Sequence, residues 1–239
     1  MLIHTQDQNN SRNREWMRNN ERPIMHSTGY ELSKEQANFI TLLIIDESGS
    51  MASLKQATVE SFNGLVKSIL NDAIEIPTLT QHMGVVTFEG NRIVERLALT
   101  TVRENSEIQE LYYHPNGNTP LFDAMGMSVT KLEKLIQQSG VPEENVKVSV
   151  AIFTDGEENS SREFSLREIQ RLVERLKLKG WEFSYYGTEH RVEEMAERLR
   201  MDRVERFEKS EHGLHNTMAS YSRSSKMSKE QFMAKQNKR

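Results

Sequence analysis

The sequence predicts an α/β fold: a mostly parallel central sheet covered by helices on both faces, with one antiparallel strand at an edge. Three observations carry this. Apolar runs of strand length at 39–45 and 146–153 are separated by segments whose apolar residues recur every three or four positions. Strands alternating with helices require parallel crossovers, and hence helices on both sides of the sheet. A Gly90-Asn91 pair between two strand-like runs signals a hairpin, which a parallel sheet tolerates at its edge.

The elements follow in order. The run 39–45 (Phe-Ile-Thr-Leu-Leu-Ile-Ile) is the first strand, and a helix from about 52 to 70 follows with Leu54, Thr58, Phe62, Leu65 and Ile69 on one face. Residues 82–88 and 92–99 form the hairpin. Residues 100–118 are a polar connection anchored by Ile108, Leu111, Tyr112 and Tyr113. Thr119 followed by Pro120 reads as an N-cap with proline at the first helical position. The helix it opens stops near Ser139-Gly140. The second strong strand spans 146–153, and Ser165 to Glu168 fits a capping box that opens the next helix, closed by Gly180. A strand at 181–186, a short helix at 192–199 and a short strand at 203–207 complete the pattern.

Three segments are expected: a flexible N-terminal arm at 1–35, the α/β domain at 36–207, and a polar, basic C-terminal extension at 208–239. The arm is rich in Asn, Gln, Arg, Glu and Ser, with Trp16 and Ile24 available to dock on the domain or on a partner. In the extension, 213–221 has the pattern of a helical turn or more, and 222–239 reads as a loose tail.

Only 36% of the 239 residues are hydrophobic and 28% are charged, so part of the chain is expected outside the core. The net charge of −4 is uneven: residues 1–38 balance, the extension carries about +4, and the middle about −8. An acidic middle argues against a broad nucleic-acid-binding face and suits a site that takes up cations. With no cysteine, disulfides, thiolate metal sites and thiol nucleophiles are excluded. No apolar run approaches a membrane span, and residues 1–6 lack the pattern of a signal peptide. A cytoplasmic protein without membrane association is expected.

The chemistry concentrates where strands end. Asp46-Glu47-Ser48-Gly49-Ser50 follows the first strand, Gly117-Asn118-Thr119-Pro120 opens a helix, and Thr154-Asp155-Gly156-Glu157 follows the later strand. Open α/β sheets bind ligands at the carboxyl ends of their strands. Asp46, Ser48, Ser50, Thr119 and Asp155 are therefore the candidate metal ligands. All are hard oxygen donors, which favour Mg²⁺, Mn²⁺ or Ca²⁺ over Zn²⁺ or Cu²⁺. Two carboxylates roughly neutralise a divalent ion, so the metal keeps the capacity to accept an outside anion. Taken singly, each stretch also fits a plain cap or turn; the metal reading rests on the three together. No phosphate-binding glycine motif is present. His212 and His215, three apart, have no carboxylate cluster around them.

Asp46-x-Ser48-x-Ser50 after a buried strand, Thr119 in Gly-x-Thr-Pro-Leu-x-Asp-Ala, and Thr154-Asp155-Gly156-Glu157, in that order, resemble the von Willebrand factor A domain with its metal-ion-dependent adhesion site. The resemblance covers about 39–207, and the small cysteine-free form is similar to the intracellular bacterial or phage branch. It implies a Rossmann-like, three-layer α/β/α fold with Mg²⁺ at the sheet's carboxyl edge. By position, Ser48 and Ser50 would be direct ligands, and Thr119, Asp46 and Asp155 would bind directly or through water. A partner's Glu or Asp would complete the coordination. Glu157 and Glu158 match no ligand position, and Asp123 is expected to support the Thr119 loop.

The implied function is a Mg²⁺-dependent protein-interaction module, not an enzyme. Family analogy offers an AAA ATPase of the MoxR type, or a kinase–phosphatase set of the tellurite-resistance type, as partner. Two alternatives remain at this level. One is a metal-dependent phosphohydrolase of the haloacid-dehalogenase type, which would need an acid where Ser48 stands. The other is a self-assembling homo-oligomer, in which one copy's acidic residue meets the metal of the next.

Overall fold

The computed structural model describes residues 30–103, 111–188 and 191–238. Trp16, Met17, Ile24 and Met25 of the expected arm, and Ile108 of the expected anchors, lie outside the described residues.

The elements are β1 (Ala37–Asp46), α1 (Lys55–Glu75), β2 (Leu79–Glu89), β3 (Arg92–Val102), α2 (Leu121–Ser139), β4 (Val146–Thr154), α3 (Leu166–Leu178), β5 (Glu182–Gly187), α4 (Val192–Arg198), β6 (Arg203–Arg206) and α5 (Glu211–Gln236). They build one six-stranded sheet in the order β3-β2-β1-β4-β5-β6. All neighbouring pairs are parallel except β2–β3, the hairpin at one edge. The chain runs outward from β1 through β2 to β3, then returns to the other side of β1 as β4. The strand order thus reverses between β1 and β4, the position where such sheets open a crevice.

The sheet is covered on both faces, as three layers require. Along β1, Ile40, Leu42 and Ile44 enter a core shared with Leu121, Met125 and Leu132 of α2 and with Ile169 and Val173 of α3. Leu43 and Ile45 point to the opposite core, built with Phe62 and Leu65 of α1 and with Leu214, Met218 and Tyr221 of α5. This is the period-two alternation of a strand buried on both sides.

Several boundaries differ from the sequence reading. A 3-10 turn at Gly49–Leu54 precedes α1, so the regular helix starts at Lys55. Helix α2 begins at Leu121 with Pro120 in the cap position, and Pro120 has no side-chain acceptor to cap it. Thr119 is therefore not the N-cap, and its hydroxyl is not spent on the helix end. The capping box of Ser165 and Glu168 forms as expected. Residues 30–35, which composition groups with the arm, lie against the domain: Leu32 is buried, and the Asn38 side chain clasps both the N–H and the C=O of Ser33 at 2.8 Å.

The largest correction concerns the C-terminus. Instead of a helical turn or more at 213–221 and a loose tail at 222–239, 211–236 is one 26-residue helix packed along α1. Its buried face runs Leu214, Thr217, Met218, Tyr221, Ser225, Lys229. The spacing is helical, but the second half offers a serine and a lysine where a sequence reading looks for apolar residues. Lys229 is tolerable inside because Asp72 of α1 meets its ammonium at 2.7 Å. The ring of Phe39 lies 5.5 Å from the same ammonium.

Candidate metal centre

The parallel register sets the ends of β1 and β4 side by side, with Ile45 opposite Phe153. Asp46 and Thr154–Asp155 therefore leave the sheet together at its switch point. Asp46 is fully buried. Its Oδ1 accepts from the Ser48 N–H at 2.7 Å, and its Oδ2 accepts from the Thr154 hydroxyl at 2.6 Å. The first bond makes the sharp turn that brings Ser48 and Ser50 back over the strand end. The two hydroxyls lie 3.0 Å apart, and Ser50 donates to Asp155 Oδ1 at 2.5 Å.

The third loop closes on the same point. A Cβ on Gly156 would stand 3.3 Å from Thr119 Oγ1 and 3.5 Å from Ser50 Oγ, so the absence of a side chain there leaves room between the two hydroxyls. The Thr119 loop is laced to the first by Gly49 N–H to Gly117 O at 3.0 Å and Asn116 N–H to Glu47 O at 2.8 Å. Gly117 sits at φ +69°, and a Cβ on it would lie 2.8 Å from Glu89 Oε2 and 3.0 Å from the Gly90 backbone. Only glycine meets both conditions. All five residues singled out from the sequence thus line one edge of the sheet.

The donor chemistry fits a hard divalent cation: two carboxylates and three hydroxyls, with no nitrogen or sulfur. Asp155 Oδ2 is buried and faces positive charge alone, the Lys209 ammonium at 2.5 Å, so this oxygen is placed to meet a cation. Burial is the main influence on Asp46 and pushes its carboxyl up to about 6, against the hydrogen bonds from Thr154 and Ser48 that lower it. Nearby positive charge favours the ionised form of such a group. Among the described residues no three or more His, Asp or Glu side chains are grouped so as to hold a metal, so a cation held here would need the hydroxyls as well. His215 bonds Ser61 at 2.8 Å and His212 bonds Asn216 at 2.9 Å, so neither joins a ligand set.

Several supporting residues were not legible in the sequence. Glu47, between Asp46 and Ser48, is buried. Its Oε2 accepts from Arg96 of β3 at 2.5 Å, and its Oε1 accepts from the His114 N–H at 2.5 Å. It ties the first loop to the third from below. The Tyr113 hydroxyl donates to the Asp46 carbonyl. Glu158 caps the start of α2 through the Phe122 N–H at 2.9 Å, and Asn159 Oδ1 takes the Thr119 N–H at 2.9 Å. Asp123, expected from the sequence to support the Thr119 loop, instead accepts the N–H groups of Arg162, Glu163 and Phe164 at 2.8–2.9 Å, so it secures the loop before α3 and lies outside the candidate donor set. Lys209, from the segment between β6 and α5, places its ammonium 2.5 Å from Asp155 Oδ2. None of these contacts leaves a local pattern, because each joins residues far apart in the chain.

The profile of the von Willebrand factor type A domain matches residues 42–222, three quarters of the chain. The chain belongs to this family. The matched span includes the first part of α5, beyond the 39–207 covered by the sequence resemblance. Among solved structures, the SpRpn10 VWA domain is similar at 13% identity and a TM-score of 0.50, over 74% of this chain and 92% of that one. Manganese-loaded TRAP protein from Plasmodium vivax gives 19% identity and a TM-score of 0.42, over 66% and 59%. The pilus adhesin SpaC from Lactobacillus rhamnosus GG gives 10% and 0.49, over 83% and 31%. No curated protein sequence matches. Among the described residues of this VWA domain, no helix is long and apolar enough to cross a membrane.

Proposed function

We propose that this VWA domain is a non-enzymatic module that binds a protein partner through a divalent cation, Mg²⁺ or Mn²⁺, held by Asp46, Ser48, Ser50, Thr119 and Asp155. The observation that carries the reading is the convergence of three separate loops on one oxygen cluster, with Ser50 bonded to both Ser48 and Asp155. When bound, the cation would supply an electrophilic centre for a carboxylate of the partner. The chain's own residues do the positioning. Asp46 shapes the turn, Glu47 and Asn159 hold the loops in register, and Ser50 stands exposed at the rim where a partner arrives.

Binding is favoured over phosphate-ester hydrolysis because the position that needs a second acid holds Ser48, whose hydroxyl lies against Ser50. An AAA ATPase or a kinase–phosphatase set remains the partner class that family analogy offers, and the lack of cysteine suits a reducing cytoplasm. The test is titration calorimetry with Mg²⁺ and Mn²⁺ on the native protein and on Asp155→Asn and Ser48→Ala, paired with a pull-down with and without EDTA. Metal uptake lost in both variants, with an EDTA-sensitive partner, is the expected outcome. Native-like metal binding in both variants would refute the assignment.

A further inference from the structure

The cation that Asp155 meets in this structure is part of the chain. Lys209 Nζ lies 2.5 Å from Asp155 Oδ2, with the carboxylate fully buried and the lysine side chain 41% exposed. Asp155 Oδ1 is already taken by Ser50, so Oδ2 is the oxygen left for a further charge.

The segment that carries Lys209 is held at both ends. Phe207 is buried and donates its N–H to the Gly187 carbonyl at 2.9 Å, at the end of β5. Ser210 caps α5 by accepting the Gly213 N–H at 3.1 Å. Gly213 lies so close to Glu208 that a Cβ there would stand 2.2 Å from the Glu208 carbonyl oxygen. Lys209 is thus presented to Asp155 by a short strap between β6 and α5, and is not a freely roaming surface lysine.

We propose that Lys209 is a tethered competitor of the divalent cation. Its ammonium neutralises Asp155 when the metal is absent and must withdraw when the metal binds, so Lys209 sets the site's affinity and links metal occupancy to the strap before α5. This rests on the metal-binding reading above. The charge argument is direct. Two carboxylates present about −2 to an incoming ion, whereas two carboxylates and an ammonium present about −1. A divalent cation and an ammonium sharing one carboxylate also repel each other at short range. Lys209 is half exposed and long-stemmed, so it can swing into water at modest cost, and Asp155 stays paired throughout.

The experiment uses the full chain as native protein, Lys209→Gln and Lys209→Arg. Calorimetric titration with Mg²⁺ should give Lys209→Gln an affinity about tenfold tighter than native, the scale of a pair with one buried partner. Lys209→Arg, which keeps the charge, should stay near native. In parallel, acetylation of the native protein with acetic anhydride, read by mass spectrometry, should label Lys209 faster in Mg²⁺ than in EDTA. Equal Mg²⁺ affinity in native protein and Lys209→Gln overturns this inference while the metal site stands, as does Lys209 labelling that ignores Mg²⁺. Absence of Mg²⁺ and Mn²⁺ binding in all three proteins overturns both readings.

Discussion

Replacing Arg96 with methionine should cost this domain about 3–5 kcal/mol, the penalty of breaking a buried ion pair from one side. Arg96 is 5% exposed and its partner Glu47 is 2% exposed. The guanidinium donates from Nη2 to Glu47 at 2.5 Å and from Nε to the Thr87 hydroxyl at 2.8 Å, and its Cζ lies 5.2 Å from the centroid of the Tyr112 ring. Methionine keeps much of the stem's packing and removes every donor. Glu47 would then hold a buried carboxylate on the His114 N–H alone. Urea unfolding followed by circular dichroism measures the loss. Adding Glu47→Gln should restore at least about 2 kcal/mol, because a neutral amide needs no counter-charge and still accepts from His114. The single variant should also weaken Mg²⁺ uptake, since Glu47 fixes the first loop to the chain leading to Thr119. An Arg96→Met protein within about 1 kcal/mol of native, or no recovery in the double variant, would refute the reasoning.

Two other outcomes are expected. Burial, helped by the charge of Arg103, holds the His82 imidazole down at about 4, and the neutral ring is satisfied by Asn38 at 3.1 Å and Thr101 at 3.2 Å. A depressed folded-state value contributes stability that is intact above the unfolded value of about 6.5 and lost as pH falls towards 4, so about 3 kcal/mol should disappear across that window. Urea midpoints at pH 7 and pH 4.5 should fall further apart for native protein than for His82→Gln; equal differences would dismiss the effect. In α5, Lys229→Ala should cost about 3 kcal/mol, because it leaves buried Asp72 with only the Lys226 ammonium at 3.9 Å, whereas the pair Lys229→Met with Asp72→Leu should fall near native stability. Thermal melts that rank the double variant below the single one would contradict this.

The sheet, and the gathering of the five candidate residues at one edge of it, were legible because their signals are local. A strand buried on both faces must be apolar throughout, as in β1 and β4, and a loop that turns back on its strand needs small polar residues such as Ser48 and Gly49. The antiparallel edge could be read from Gly90-Asn91 for the same reason. The cap at Thr119 was misplaced because a threonine before a proline looks the same whether its hydroxyl serves the helix end or faces the loops beside it.

By itself, then, the sequence determined the layer order, the edge of the sheet where three polar loops meet, and the all-oxygen character of the side chains gathered there. Each of these follows from residue type and spacing within a few positions. Only the tertiary structure decided what stands around that cluster. Helix α5 hides its last buried position behind a lysine, and its packing depends on Asp72, 157 residues earlier. Glu47 finds Arg96 across the sheet, and Lys209 reaches Asp155 from a strap 54 residues further on. A charged side chain carries no mark of whether water or a buried counter-charge will meet it, because its burial is tolerable only once the partner is in place.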